Sequence, residues 1–475
     1  MDSLAQLPFP FYICVLALAG FSWNAWKFRE KAWGIPMLTV LATVGAWYLM
    51  DPIYNGYKAY VNTLGEGVLS TAWWEVLLFL ISLAVFVPPV NRKLNGRLSA
   101  SGSQVIVAIR SNRIDTDEFQ DQIQMLSKYL LIAWCALMTL GLWRIEFDFM
   151  SLFFPYILGD RSSPWYRERL GGSFDAILSF AGYLQIMLTA LWGVILALAM
   201  RPRIQMTAAV VYFLAEPFYL FDRTRNTMLA TLLPGLLALV TLRIRSSVMM
   251  KIAVLGSAFA MINVWFLFVL EIRSQSGTLA DAFKSGVLST AQTERGQHKQ
   301  KHEGFNMFEE LGYINYFTDK GTYRPNWGTR YFAELVNPVP RVLWPSKPLI
   351  GVDYAIARGL AYGNVDAKAG GVAATVSTGM IGQGVVNFGQ ILGPIAAAFL
   401  MAIWVAVLAR QDLMGHDIGH LLLYVIGLVL TFNMGRDITL LVLYPFIFGW
   451  LLLNWLNRNK VHPALVQPHE TRPIR

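Results

Sequence analysis

The chain has 475 residues, of which 55% are hydrophobic and only 15% are charged, and its formal net charge is +9. Soluble globular domains contain about 25% charged residues, so this composition excludes an ordinary soluble protein and predicts an all-α integral membrane protein with several spans. The basic residues lie in short segments between apolar runs, which is a topology signal and not the basic stripe of a nucleic-acid-binding protein. The only cysteines, Cys14 and Cys135, both lie in apolar runs and argue against a disulfide scaffold.

Apolar runs of roughly bilayer-spanning length predict eleven transmembrane helices. In chain order they cover residues 8–26, 35–53, 71–90, 128–146, 174–199, 204–221, 226–242, 250–270, 375–409, 418–435 and 438–457. The ninth run is too long for one straight helix and is expected to break at its glycines, Gly379, Gly382, Gly384 and Gly389. Residues 115–124 have the amphipathic pattern of a helix lying at the membrane surface.

Arginine and lysine are abundant in every second connection between these runs and sparse in the others. Under the positive-inside rule this places the N-terminus outside and the C-terminus in the cytoplasm. The chain then divides into a transmembrane bundle over residues 1–270 with a cytoplasmic loop at 91–127, an outer loop domain over 271–371, three further spans over 372–457, and a cytoplasmic tail over 458–475.

The outer side of this topology contains a few unusually placed basic residues. Arg223 and Arg225 stand in a five-residue connection, Arg436 stands between spans ten and eleven, and Arg341 and Lys347 lie in a proline-rich run. A guanidinium group donates two parallel hydrogen bonds to a phosphate group, so these residues indicate an anionic ligand at the membrane edge. The alternatives are pairing with the adjacent Asp222 and Asp437, or contact with lipid headgroups.

The acids of the outer loop include candidates for a general base. Glu309 and Glu310 stand near the start of a predicted helix over residues 303–318, and the alternative is a solvated helix surface. His298 and His302 share a helical spacing, but their strongly basic surroundings disfavour a metal ion. The sequence contains no phosphate-binding loop, no serine nucleophile elbow and no Asp-x-Asp motif, so no metal, cofactor or nucleotide sugar is predicted.

Two segments resemble one known family. The run Pro338-Val339-Pro340-Arg341-Val342-Leu343-Trp344-Pro345-Ser346-Lys347-Pro348 is similar to a conserved segment of the O-antigen polymerase (Wzy-type) oligosaccharide repeat-unit polymerases, which are related to O-antigen ligases. The stretch Gly382-Gln383-Gly384-Val385-Val386-Asn387-Phe388-Gly389 resembles a second segment of that family, in which an acid is common where Gln383 stands here. A third, short likeness covers residues 222–227.

The resemblance implies a glycosyltransferase of the GT-C class in the bacterial inner membrane, with the outer face in the periplasm. Its substrates would be polyprenyl-pyrophosphate-linked oligosaccharides as donor and acceptor, and a chain-length regulator protein is a further expected partner. The reaction would be an inverting, metal-independent transfer that polymerises repeat units into a surface polysaccharide. Arg223, Arg225 and Arg341 are the expected pyrophosphate ligands, with Lys347 and Arg436 behind them, and Glu309 or Glu310 is the expected base. A ligase that transfers the finished glycan to another acceptor, or a flippase of the lipid-linked glycan, remains an alternative.

Overall fold

The computed structural model describes residues 7–96, 101–110, 115–153, 164–165, 175–220, 225–244, 247–274, 306–359, 376–415, 417–438 and 440–459. These residues are mostly helical (82%) and contain no β-strand. The helices are Phe9–Lys27 (α1), Gly34–Val44 (α2), Asp51–Asn55 (α3), Tyr57–Leu64 (α4), Glu66–Asn95 (α5), Gln104–Arg110 (α6), Asp117–Arg144 (α7), Phe149–Phe153 (α8), Asp175–Leu198 (α9), Pro202–Leu220 (α10), Arg225–Ala238 (α11), Val248–Ser274 (α12), Met307–Asp319 (α13), Thr329–Val336 (α14), Val352–Ala357 (α15), Gly379–Leu413 (α16), Ile418–Met434 (α17) and Leu440–Asn459 (α18).

Six helical segments in the described part of the chain are long and apolar enough to cross a bilayer. They are Phe9–Lys27, Gly34–Asn55, Glu66–Asn95, Asp117–Arg144, Phe180–Leu198 and Gly379–Leu413. Shorter apolar helices cover Thr227–Arg243, Met249–Ile262, Ile418–Met434 and Leu443–Trp455. The prediction of an all-α, multi-pass membrane protein is therefore confirmed, whereas the count of eleven spans and the sidedness of the loops stay predictions.

The predicted surface helix over residues 115–124 is not a separate element. The Thr116 hydroxyl caps the first turn of α7 by accepting a hydrogen bond from the backbone N–H of Phe119 (3.4 Å), and the helix then continues without a break. Phe119, Ile123 and Leu130 are all buried along one face of α7. The amphipathic pattern therefore belongs to the first turns of a candidate membrane helix, because its apolar face runs on into the core.

The centre of the bundle is formed by α5 and α16, which pack against each other more extensively than any other pair of described helices. A second group of helices surrounds α9, which contacts α10, α11 and α18. Several of the largest buried side chains, including Trp73, Trp192, Tyr48 and Phe79, belong to one continuous apolar core.

The described part of the outer loop packs into this same core. In α13, Met307, Phe308, Leu311 and Ile314 are buried, and the ring of Phe308 stacks on that of Trp73 in α5 with their centroids 3.9 Å apart. The helix α13 therefore shares the core of the bundle, and the division of the chain into a bundle over 1–270 and an outer loop domain over 271–371 stays a prediction.

Two buried acids from the first part of the chain hold α13 in place. The Asp51 carboxylate accepts hydrogen bonds from the backbone N–H groups of Phe308 (2.8 Å) and Glu309 (3.0 Å). It thereby caps the positive end of the helix dipole. Farther along α13, the side-chain amide of Asn315 donates to Glu75 of α5 (2.8 Å). These contacts fix α13 along the bundle axis and in its rotation.

Candidate functional site

The ninth apolar run is broken at one residue, as its glycine content predicts. Gly389 has a φ of +80° and a ψ of −179°, a conformation that is open only to glycine at low cost. The chain folds back there. The backbones of Gly384 and Gly393 touch, since a Cβ on Gly384 would lie 2.1 Å from the carbonyl oxygen of Gly393. In a straight helix, residues nine apart would be separated by about 13 Å along the axis. The first part of α16 is therefore a short helix that forms a hairpin with the long second part.

The hairpin is fastened to the connection between α17 and α18. The backbone N–H groups of Gly379 and Met380 donate to the carbonyl oxygens of Arg436 (2.8 Å) and Gly435 (3.1 Å). The Gln383 side-chain oxygen accepts a hydrogen bond from the backbone N–H of Ile438 (2.8 Å). Gln383, which stands where the resembled family commonly has an acid, thus joins the hairpin to the residues that follow Arg436.

The outer-loop segment binds the other side of the same hairpin. The backbone N–H of Tyr331 donates to the side-chain oxygen of Asn387 (3.3 Å), whose amide nitrogen donates to the Gln383 carbonyl oxygen (2.7 Å). The backbone N–H of Asn326 donates to the Val386 carbonyl oxygen (3.0 Å). The residues of the Gly382–Gly389 motif therefore position α14 next to the connection that contains Arg436.

A buried group of charges fills this junction. Arg330 and Glu334 lie one turn apart on α14 and are only 3% and 4% exposed. Nη2 of Arg330 lies 3.5 Å from Oδ1 of Asp437 and donates to the Val376 carbonyl oxygen (3.4 Å). Asp437 also accepts hydrogen bonds from the backbone N–H and the hydroxyl of Thr378 (3.2 Å each). We call Arg330, Glu334 and Asp437 the buried triad.

The triad is incompletely satisfied by the described residues. Nε and Nη1 of Arg330 and Oε2 of Glu334 are buried and have no hydrogen-bond partner there. The guanidinium group also packs against Gly351, where a Cβ would lie 3.2 Å from Cζ of Arg330. A buried guanidinium with unused donors costs free energy, and such costs are often retained where a ligand binds.

Burial dominates the protonation chemistry of the triad. It raises the pKa of Glu334 to about 8, with a further increase from Asp437 and an opposing effect of Arg330. Burial also raises the pKa of Asp437, which Arg330 and the hydrogen bonds of Thr378 partly offset. A carboxyl group that titrates near neutral pH can accept a proton and release it again, as a general base requires.

The two acids predicted as bases lie in the first turn of α13, and both are buried. Glu310 accepts a hydrogen bond from the Tyr354 hydroxyl (2.8 Å), and its other oxygen lies 3.4 Å from Nη2 of Arg358. Burial and the neighbouring Glu310 raise the pKa of Glu309 to about 7, and Arg358 opposes this increase. The alternative of a solvated helix surface is therefore wrong for both, and a catalytic role for either stays a prediction.

The cations of the proline-rich run are bound by the run itself. Lys347 is buried, and its ammonium group donates to the carbonyl oxygens of Asn337 (2.7 Å) and Val339 (2.8 Å). Arg341 donates to the carbonyl oxygens of Pro345 (3.1 Å) and Pro348 (3.4 Å). Both side chains therefore brace a proline-rich turn, as expected for a rigid segment, and a pyrophosphate-binding role for them stays a prediction.

Of the other predicted cations, only Arg436 has a described side chain. It is exposed beside the buried triad, and its Nε donates to the hydroxyl of Ser377 (2.9 Å). Its neighbour Asp437 pairs with Arg330, so the adjacent Arg–Asp pair does not simply neutralise itself. Arg223 lies outside the described residues, as do His298 and His302, and Arg225 begins α11 with a side chain that is not described.

Reasoning from the sequence missed Arg330 and Glu334. Their signal was a basic and an acidic residue one helical turn apart in a segment whose other positions include Phe332 and Leu335. It also missed Glu75, an acid within an apolar run, which is a functional candidate by default in a membrane protein. Among the described residues, no three histidine, cysteine, aspartate or glutamate side chains are grouped as metal ligands would be.

Comparisons with known proteins neither support nor oppose the resemblance to the O-antigen polymerases. No family model matches the chain, and neither a curated protein nor a solved structure matches it significantly.

Proposed function

We propose that this protein is a membrane-embedded glycosyltransferase that polymerises polyprenyl-pyrophosphate-linked oligosaccharide repeat units by inverting transfer at the outer face of the membrane. The observation that carries the proposal is the convergence of three separate segments. The Gly382–Gly389 hairpin, the connection containing Arg436 and the outer-loop helix α14 meet at the buried triad. Two of these segments carry features that the sequence had already associated with such an enzyme.

The arginines at this junction suit a diphosphate whose lipid tail remains in the bilayer. Arg330 offers buried donors that no described residue uses, and Arg436, which precedes Asp437 in the chain, is exposed. Developing negative charge on a leaving diphosphate would be stabilised most by donors that are already fixed in position. The guanidinium group is also the side chain best matched to two phosphate oxygens at once.

The reaction would be a single displacement at the anomeric carbon of the donor glycan. The bond from the acceptor oxygen to that carbon forms while the bond from the carbon to the diphosphate oxygen breaks. The base takes the proton of the acceptor hydroxyl, and the lipid diphosphate leaves with the bonding electron pair. Arg330 and Arg436 would stabilise the charge that collects on the leaving group.

Two carboxyl groups are suited to accept the proton. Glu309 was predicted from the sequence and has a pKa of about 7. Glu334 has a pKa of about 8 and shares α14 with Arg330, which places it closer to the proposed diphosphate site. Glu310 is the weakest of the three candidates, because Tyr354 and Arg358 already engage it.

A direct assay tests the reaction. Purified protein in lipid vesicles is incubated with a polyprenyl-pyrophosphate-linked oligosaccharide, and the products are separated by size. A ladder of products is the expected result. A single transfer to a different acceptor would identify a ligase instead, and movement of the lipid-linked glycan across the bilayer without new bonds would identify a flippase.

A matched pair of arginine variants tests the site. Arg436→Ala is expected to reduce chain extension at least tenfold while the protein remains folded, because its side chain is exposed. Arg436→Lys should rescue poorly, since an ammonium group cannot donate the parallel pair of hydrogen bonds. Arg410→Ala is the control, because Arg410 is also exposed but lies near the far end of α16. Equal ladders from Arg436→Ala and Arg410→Ala would remove Arg436 from the proposed site.

Glutamine variants assign the base. Glu334→Gln is expected to abolish chain extension, whereas Glu309→Gln should retain a measurable rate with the same pH dependence as the unsubstituted protein. The reverse pattern would assign the role to Glu309. Full activity in both variants would exclude both carboxyl groups.

A further inference from the structure

The helix α14 buries its charged residues and exposes apolar ones, which is the reverse of a helix on a water-facing surface. Its charged residues Arg330 and Glu334 are 3% and 4% exposed, whereas Phe332 and Leu335 are 48% and 65% exposed. A helix at an aqueous surface places its apolar stripe inward and its charges outward. The opposite arrangement is expected where the surroundings of the helix are less polar than the side on which it packs.

The proline-rich run, which is not a helix, likewise buries a charged residue and exposes apolar ones. Lys347 turns inward onto carbonyl oxygens, while Val342 and Leu343 point outward and are 60% and 77% exposed. The ring of Trp344 lies edge-on to that of Phe332, 6.3 Å between centroids, so the outward residues of helix and run adjoin one another. We call Phe332, Leu335, Val342 and Leu343 the apolar rim.

The rim continues onto a surface that belongs to a candidate membrane helix. Tyr331 packs near Phe388 at the tip of the hairpin, with ring centroids 6.1 Å apart. Just beyond the tip, Ile391 and Leu392 of α16 are exposed apolar residues in a segment long and apolar enough to span the bilayer. Exposed side chains there face lipid. The side chain of Gln390, which stands between Phe388 and Ile391, donates to Asn315 (3.2 Å) and Asp319 (3.4 Å), so the rim adjoins the lipid-facing residues Ile391 and Leu392.

The length of α14 decides how it meets the membrane. Eight residues of helix cover about 12 Å, far less than the roughly 30 Å hydrocarbon core. The exposed Trp327 stands two residues before the helix, and tryptophan is enriched at the boundary between lipid and water. We infer that α14 and the proline-rich run lie in the membrane interface, with the apolar rim inserted among the acyl chains of one leaflet of the bilayer.

This inference stands apart from the proposed function, because it concerns the surroundings of the rim and not the reaction. It changes the meaning of the outer loop: the residues from 327 to 348 would be part of the membrane-bound body and not a water-exposed lid. A lipid-linked substrate could then reach the buried triad sideways, from within the leaflet.

Spin-label accessibility tests the inference on the intact chain. Cys135→Ala removes the exposed cysteine, and Cys14 can stay because it is buried. Single labels are then placed by Leu335→Cys and Leu343→Cys, and the proteins are reconstituted in phosphatidylcholine vesicles. Both labels are expected to be at least threefold more accessible to oxygen than to a water-soluble nickel chelate.

Two further labels calibrate the result. Leu16→Cys on α1 marks a lipid-facing position on a candidate span, and Arg324→Cys marks an exposed polar position just before α14. Accessibility ratios at positions 335 and 343 close to that at 16 support insertion. Ratios close to that at 324 would overturn it, and so would labels that neither oxygen nor the nickel chelate reaches, because those would indicate a protein partner covering the rim.

Discussion

Two groups of cations in the outer loop differ in what their donors contact. Arg341 and Lys347 lie in the most distinctive run of the sequence, yet both donate to backbone carbonyl oxygens of that run. Arg330 lies in an unremarkable stretch of sequence, yet it is buried with two donor atoms unused by described residues. A conspicuous motif therefore marks the segment that needs a fixed shape, while the cation available to a ligand stands a few residues before it.

The largest effect is expected from Arg330→Ala. It leaves Asp437 without its ion-pair partner, and removing one partner of a buried ion pair typically costs about 3–5 kcal/mol. The melting temperature in detergent should fall strongly, and chain extension should be lost. Arg330→Lys should recover more stability than activity. A stable, active Arg330→Ala protein would show that Arg330 differs from Arg341 and Lys347 neither in its structural importance nor in a role in the reaction.

Lys347→Met should produce a smaller loss of stability. It removes two hydrogen bonds from a charged donor to the carbonyl oxygens of Asn337 and Val339. Asn337 is only partly buried and Val339 is exposed, so water can replace the donor, and the total loss should be about 1.5–3 kcal/mol. Because the role assigned to Lys347 is structural, activity per folded molecule should remain measurable. The comparison requires the folded fraction from size-exclusion chromatography together with the ladder assay. Unchanged stability with no activity would instead place Lys347 among the ligand-binding residues.

Arg341→Ala should have a weaker effect still. The side chain is only partly buried, and its two hydrogen bonds to Pro345 and Pro348 are long or exposed, so a loss of about 1 kcal/mol is expected. Chain extension should persist. Normal stability combined with complete loss of chain extension would restore the pyrophosphate-binding role that the sequence predicts, and would make the two groups of cations alike.

The stability of the folded protein should also depend on pH. The folded protein raises the pKa of Glu334 from 4.5 to about 8, so between these values the folded state retains a proton that the unfolded chain has released. The free energy of unfolding should therefore be highest below about pH 4.5 as far as Glu334 is concerned, and should fall as the pH rises towards 8. Glu334→Gln should flatten the dependence of the melting temperature on pH, with the exposed Glu66→Gln as control. An unchanged slope in Glu334→Gln would contradict the buried position of this carboxyl group.

Much of the fold follows from local physics that the sequence displays. Long apolar runs become helices because a bilayer leaves backbone polar groups no other partner, and Gly389 breaks the ninth run because a glycine can take the positive φ needed inside it. The continuity of α7 and the packing of α13 against Trp73 did not follow, because both depend on surfaces brought together from distant parts of the chain.

The site was predictable only in part for the same reason. The Gly382–Gly389 motif and Arg436 were singled out from the sequence because each has an irregular local sequence, and the structure brings them together. Arg330 and Glu334 gave no such signal, because their burial depends on Asp437 and on the hairpin, which arrive about a hundred residues later. A residue's type and spacing indicate what it can donate, but not whether the fold leaves that donor available.

The cap that Asp51 places on α13 has a consequence for biogenesis. The carboxylate and its backbone donor on Phe308 are separated by 257 residues. At a synthesis rate of roughly 5–20 residues per second, the ribosome needs roughly 13–50 s to make that interval. During this time the first helices are already in the translocation machinery, while their buried acid has only its local partners, Asn55 and Tyr60. Asp51 therefore lacks its contacts with α13 until residues 308 and 309 have been made, and a truncation before residue 308 would leave it without them.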